Sequence, residues 1–138
     1  MKIEIHSIYS IELVQQNPNK LFVFGENVKQ QGSNVIGGGQ AIIRGLPNTY
    51  GLCTLTAIGD YWTDEYFNVY KRQIDLDIKA ICDLLPNELS TVVFPMSGLG
   101  TGRAKLHQKA PKTFLYLCEQ LLDKFGYNNL NSLESLKF

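Results

Sequence analysis

VFPMSGLGTGRAKL, Val93–Leu106, runs an apolar stretch into a loop with three glycines and then into basic residues. LFVFGENVKQQGSNVIGGGQAIIRGL, Leu21–Leu46, repeats the plan: an apolar run, Gly25, polar residues, the triplet Gly37-Gly38-Gly39, then a second apolar segment. LFVFG and TVVFP (Thr91–Pro95) are apolar at consecutive rather than alternating positions, as in strands covered on both faces. Glycine at this density gives up backbone order, and it suits places where something must approach the chain closely.

Outward from these two stretches, KIEI (Lys2–Ile5) alternates as a half-buried strand, and GLCTLTAIG (Gly51–Gly59) reads as another strand. From Thr63 the period changes. Phe67, Tyr70, Ile74, Ile78, Ile81 and Leu85 recur at spacings of three and four, which predicts a long helix capped by Thr63 or Asp64 and ended near Pro86. Asp64 and Glu65 would face the positive end of its dipole. Pro111 opens a last helix striped by Phe114, Cys118, Leu121 and Phe125, and Gly126 closes it. QAIIRGL, after the triplet, reads as a short helix ended by Gly45, and Leu130, Leu133 and Leu136 suggest a short docking helix. Strands alternating with helices argue for an α/β sandwich with mainly parallel central strands. If Leu21–Gly25 and Thr91–Pro95 are parallel neighbours, both glycine loops leave one sheet edge, where open α/β folds bind ligands.

The 138 residues suit one domain, 1–138, and 44% hydrophobic with 19% charged residues suit a soluble globular chain. Net charge is zero without a face-sized basic cluster, so a nucleic-acid partner is not expected. No run approaches the ~18 apolar residues of a membrane span, and MKIEIHSIYS lacks a signal-peptide core. The expectation is a cytoplasmic protein without a membrane partner. Cys53, Cys82 and Cys118 are far apart and read as reduced, mostly buried thiols, and with His6 and His107 they suggest no metal site.

Glycines allow backbone N–H groups to meet an anion, and a following helix start adds favourable partial charge. Gly37, Gly38 and Gly39 before Gln40 form one candidate phosphate cradle. Ser97, Gly98, Leu99, Gly100, Thr101 and Gly102 form the other, with Arg103 as the neutralising cation. Two cradles over one cleft suggest a diphosphate, whereas the alternative is a set of tight turns. Neither loop is a G-x-G-x-x-G fingerprint or a P-loop.

FVFGEN…GGGQAII followed by VVFPMSGLGTGRAKL resembles the macro domain, and more closely a group of small phage-type macro-like proteins. The resemblance spans roughly Lys2 to Leu122, with its specific motifs in the two loops. It implies a three-layer α/β/α sandwich with a mixed, mainly parallel sheet, and binding of ADP-ribose. Asn27, beside Gly25 and Glu26, matches the residue expected near the distal ribose. Gly37, Gly38 and Gly39 match the loop along the diphosphate and distal ribose, and Ser97 through Gly102 match the second phosphate loop. Departures accompany the match. HSIYS carries no acid for the adenine amino group, and a de-ADP-ribosylating branch has Lys and Asp where Leu55 and Gly102 stand here.

Other chemistry is sparse. Glu26 and Asp60 are the candidate catalytic carboxylates, with a solvated turn residue as the alternative for Glu26. Tyr61 and Trp62 read either as a stacking platform for a base or as an amphipathic cap over the core. Arg44, Lys105, Lys109 and Lys112 are ordinary solvated charge or ligand neutralisers. Ser97 with His107 lacks an orienting acid. Three readings result: a binding module for ADP-ribose or another NAD-derived nucleotide, with no cofactor; a hydrolase removing ADP-ribose or a terminal phosphate in the same cleft; and a protein-interaction domain using an exposed Tyr61-Trp62 loop.

Overall fold

The computed structural model describes residues 1–87 and 90–131. Strands β1 (Lys2–His6), β2 (Lys20–Asn27), β3 (Thr49–Leu55) and β4 (Thr91–Pro95) form one sheet in the order β1-β4-β2-β3. Every pairing in it is parallel, so among the described residues the sheet is not mixed. The reason is the connectivity: helices α1 (Ile11–Gln15) and α2 (Phe67–Leu84) and the 3-10 turn Gly39–Ile43 each carry the chain back between strands. Helices α3 (Leu106–Lys109) and α4 (Pro111–Phe125) follow β4.

The apolar runs are covered on both faces, as their composition predicts. Leu21, Val23, Val92 and Phe94 face Ile74, Ile78 and Ile81 of α2 and Phe114, Leu117 and Leu121 of α4. Phe22, Phe24 and Val93 face Tyr9, Val14 of α1 and Ile43 of the 3-10 turn. The layers are thus α2/α4, sheet, and α1 with the 3-10 turn. Each fully buried aliphatic side chain contributes about 1.5–3 kcal/mol relative to exposure.

Helix ends follow local chemistry in part. Ser10 caps α1, accepting the Leu13 N–H at 3.0 Å. Pro111 occupies the first turn of α4, and Gly126, at φ 72°, closes it. Asp64 behaves differently from the expectation. It lies in a 3-10 turn, Asp64–Tyr66, ahead of α2, and caps α4 instead, accepting the N–H groups of Lys112 and Thr113 at 2.9 Å each. QAIIRGL contributes to a 3-10 turn rather than an α-helix, and β3 ends at Leu55, after which Thr56–Asp60 turns back on itself. Cys82 is exposed, unlike buried Cys53 and Cys118. Leu133 and Leu136 lie outside the described residues.

The topology also places the cleft. From β2 the chain moves to β3 on one side, then crosses back to β4 on the other side of β2. The crevice at such a switch point, beyond the strand C-termini, is the usual ligand position in open α/β sheets. β2 and β4 pair only through Lys20–Phe22, so their C-terminal ends part. The Tyr9 hydroxyl sits in the fork, 2.7 Å from the Val23 carbonyl and 3.1 Å from that of Val93.

Candidate functional site

Above that fork lies a cavity of about 660 Å³ lined by both glycine loops. This is within the range of small-molecule sites. Gln40 joins its two walls. Its Oε1 accepts the Gly25 N–H at 2.8 Å, while its Nε2 donates to the Ser97 hydroxyl and the Gly98 carbonyl, both at 2.9 Å. Gln40 therefore ties β2 and the two loops together, a bracing role in addition to lining the cavity.

The glycines differ in why they are glycine. Gly37 is excluded from having a side chain, because a Cβ there would stand 2.7 Å from the Ala41 Cβ and carbonyl. Gly100, at φ 83°, would meet Leu106 at 2.9 Å. The tight-turn reading suffices for these two. Gly38, at φ −111°, has ordinary room, since a Cβ there would come no closer than 3.6 Å to the Arg103 guanidinium. Gly102 would meet nothing within 4 Å. Nothing in the fold demands glycine at either position, and both line the cavity. The amides of Gly37, Gly38, Gly39 and Gln40, and of Gly100, Thr101 and Gly102, donate to no acceptor among the described residues. Gly100 and Thr101 are buried as well. Backbone N–H groups without a partner in the chain can donate to water or to a bound acceptor, and all of these residues except Thr101 line the cavity.

Other residues of the second loop are spoken for. Leu99 is a fully buried core side chain, and its N–H donates to the Asn129 Oδ1 at 2.8 Å. The Gly98 N–H donates to the Pro95 carbonyl at 3.0 Å. The Thr101 hydroxyl donates to the Ser97 carbonyl, so its proton is already used within the loop. Asn27 lines the cavity, with its Oδ1 accepting the Gln30 N–H at 3.0 Å and bracing the turn that follows β2.

Glu26 is neither a solvated turn residue nor a free carboxylate. It is 2% exposed at the end of β2. Arg44 donates Nε to its Oε2 at 2.6 Å and Nη2 to its Oε1, and the Asn27 N–H reaches Oε1 at 2.9 Å. Arg44 Nη1 also donates to the Val35 carbonyl at 2.9 Å, which pins the first loop. Gly51 makes the pair possible, since a Cβ there would stand 2.8 Å from the Glu26 Cβ and Cγ. A bidentate, buried pair of this kind holds structure. Asp60 is exposed and does not line the cavity. Trp62 is 1% exposed and stacks on Tyr70 at 4.3 Å, so it belongs to the core and the Tyr61-Trp62 pair is no exposed loop. Tyr61 does line the cavity, as do Ile36 and Ile58, each 90% exposed at its rim.

One buried carboxylate was missed from sequence. Asp77, 1% exposed, accepts the Cys53 N–H at 2.9 Å, the Tyr50 hydroxyl at 2.8 Å, and the side-chain amides of Gln31 at 2.8 Å and Gln73 at 3.1 Å. Its position three residues after Ile74, on the apolar stripe of α2, is the signal that could have found it. Burial, with Asp77 and Glu26 adding to it, pushes the Cys53 thiol far above its ordinary range. The residues described contain no cluster of three His, Cys, Asp or Glu fit to hold a metal.

Fold and cleft together define a small parallel α/β protein with an amide-rich crevice at its topological switch point. A family model described as a family of unknown function (DUF7831) matches residues 4–120, and the chain belongs to that family. Nothing matches among curated proteins or solved structures.

Proposed function

We propose that this chain is a macro-like binding domain for ADP-ribose or a related NAD-derived nucleotide. The observation that carries the reading is the pairing of Gly38 and Gly102, glycines with no need imposed by the fold, with unpartnered loop amides along one cavity. A diphosphate supplies the acceptors those amides lack, and Arg103, which lies against Gly38 and lines the same cavity, supplies positive charge. Asn27 meets the distal ribose, and Ile36 and Ile58 offer apolar cover for a base. The domain works in the cytoplasm, without a nucleic-acid or membrane partner. Among the described residues no helix is long and apolar enough to cross a membrane.

The hydrolase alternative is less well supported. Glu26 is the one carboxylate among the described residues lining the cavity, and Arg44 occupies both its oxygens. Thermal denaturation with ADP-ribose, NAD and ADP tests the binding reading. A ligand at 100 times its Kd stabilises by about 2.7 kcal/mol, a shift of several degrees. A selective shift supports a nucleotide pocket, and the absence of any shift overturns it.

A further inference from the structure

Four cationic side chains follow the second glycine loop, and three of them gather around the cavity mouth. Arg103 and Lys105 line it. The Lys105 and Lys109 ammonium groups lie 5.8 and 5.5 Å from the centroid of the Tyr61 ring, and Tyr61 also lines the cavity. Within the described residues none of the three forms an ion pair, although other lysines do. Lys112, the fourth, sits 4.3 Å over Phe67, a residue outside the cavity lining.

The backbone is shaped to hold this cluster. Lys105 is, in the described chain, the one non-glycine residue at positive φ, at 50°. That conformation is unfavourable for a side chain with a Cβ, and it persists where the surroundings impose it. Here the Lys105 N–H donates to the Gly102 carbonyl at 3.1 Å and the Leu106 N–H to the Gly100 carbonyl at 2.8 Å. The second loop thus fixes the backbone of Lys105 beside the cleft, and Tyr61 attracts its ammonium group and that of Lys109 through the ring face.

We propose that Lys105 and Lys109 on Tyr61, together with Arg103, form a second anion subsite of the cleft. It takes a phosphomonoester that the nucleotide carries in addition to its diphosphate. The proposal rests on the nucleotide reading above and narrows it: the preferred ligand is more highly charged than ADP-ribose. A dianionic group matches adjacent cations that lack acidic partners, and charge-assisted contacts are the strong ones.

Isothermal titration calorimetry of the full chain tests this with ADP-ribose and with ADP-ribose bearing an added phosphate on either ribose. At least one phosphorylated form binds about tenfold more tightly, as a hydrogen-bonded charge contact implies. The ratio of the two affinities falls to near one in Lys105→Gln/Lys109→Gln. It persists in Lys71→Gln/Lys112→Gln, which removes the same charge away from the cavity. Equal affinity in the parent protein overturns the subsite, as does a preference that survives Lys105→Gln/Lys109→Gln. If no form of ADP-ribose binds, the nucleotide reading fails, and inorganic tripolyphosphate becomes the probe. Saturable tripolyphosphate binding that Lys105→Gln/Lys109→Gln abolishes keeps the subsite, and its absence overturns the subsite too.

Discussion

Arg44 holds Glu26 from across the first glycine loop, with both carboxylate oxygens engaged by one guanidinium inside the fold. The pair joins the end of β2 to the segment after the 3-10 turn, and the Arg44–Val35 bond extends the hold into the loop. Arg44→Ala leaves a buried carboxylate without its cation and costs about 3–5 kcal/mol in denaturant unfolding. Replacing both partners, in Glu26→Gln/Arg44→Met, costs clearly less than the single change. Equal losses would mean that the pair is no structural anchor.

Gln40 is the corresponding brace between loops. Gln40→Ala removes three hydrogen bonds, to Gly25, Ser97 and Gly98, and allows the cleft walls to move independently. The expected result is a stability loss of about 1–3 kcal/mol, since the Gly25 N–H loses its acceptor, together with weaker ADP-ribose binding. Gln40→Glu keeps the Gly25 bond but cannot donate to Gly98, so it restores stability in part and binding less. Unchanged binding in Gln40→Ala would separate the brace from the site.

How much could be read from sequence follows the reach of the physics. Leu21–Gly25 and Thr91–Pro95 announce buried parallel strands because consecutive apolar residues need cover on both faces. Pro111 and Gly126 mark α4 because their constraints are local. Ile74, Ile78 and Ile81 reveal one helix face by period alone. Glu26, Asp64 and Gln40 were misassigned, incompletely read or both because their partners, Arg44, Thr113 and Gly98, are distant in sequence. The Tyr61-Trp62 pair splits, one ring in the core and the other at the cleft, for a similar reason: adjacent residues share composition but not surroundings. Within the glycine loops, spacing marked two segments that line one cavity, whereas only the neighbours of Gly37 and Gly38 tell a packing glycine from one open to the cleft.

Acid should weaken the cap on α4. Burial raises the Asp64 pKa, but the N–H groups of Lys112 and Thr113 and the Thr113 hydroxyl outweigh it and hold the carboxyl below its ordinary 3.8. A group with a depressed folded pKa contributes stability above its unfolded pKa and loses it as pH falls through the folded one. Asp64→Ala therefore costs about 1 kcal/mol at neutral pH. The gap from the parent protein stays constant down to about pH 5 and closes below about pH 4. A gap independent of pH would contradict the charged cap.

The three thiols should differ in reactivity. Cys82 is exposed, whereas Cys53 and Cys118 are buried. Burial pushes the Cys118 thiol up to about 11. Burial raises the Cys82 thiol as well, so access decides: native protein at neutral pH is alkylated at one cysteine and denatured protein at three. Mass spectrometry after brief iodoacetamide treatment counts them, and rapid native labelling of Cys53 would contradict the packing around Asp77.

The central claim is that the glycine at position 38 serves a ligand rather than the fold, and ADP-ribose calorimetry on the parent protein, Gly38→Val and Gly100→Val tests it most directly. Gly38→Val is expected to melt within a few degrees of the parent and to lose binding at least tenfold, because its Cβ branches enter the space between the loop and Arg103. Gly100→Val, at positive φ and against Leu106, is expected to melt well below the parent. Parent protein that takes up no ADP-ribose, or a stable Gly38→Val that binds it as tightly as the parent, would contradict the account.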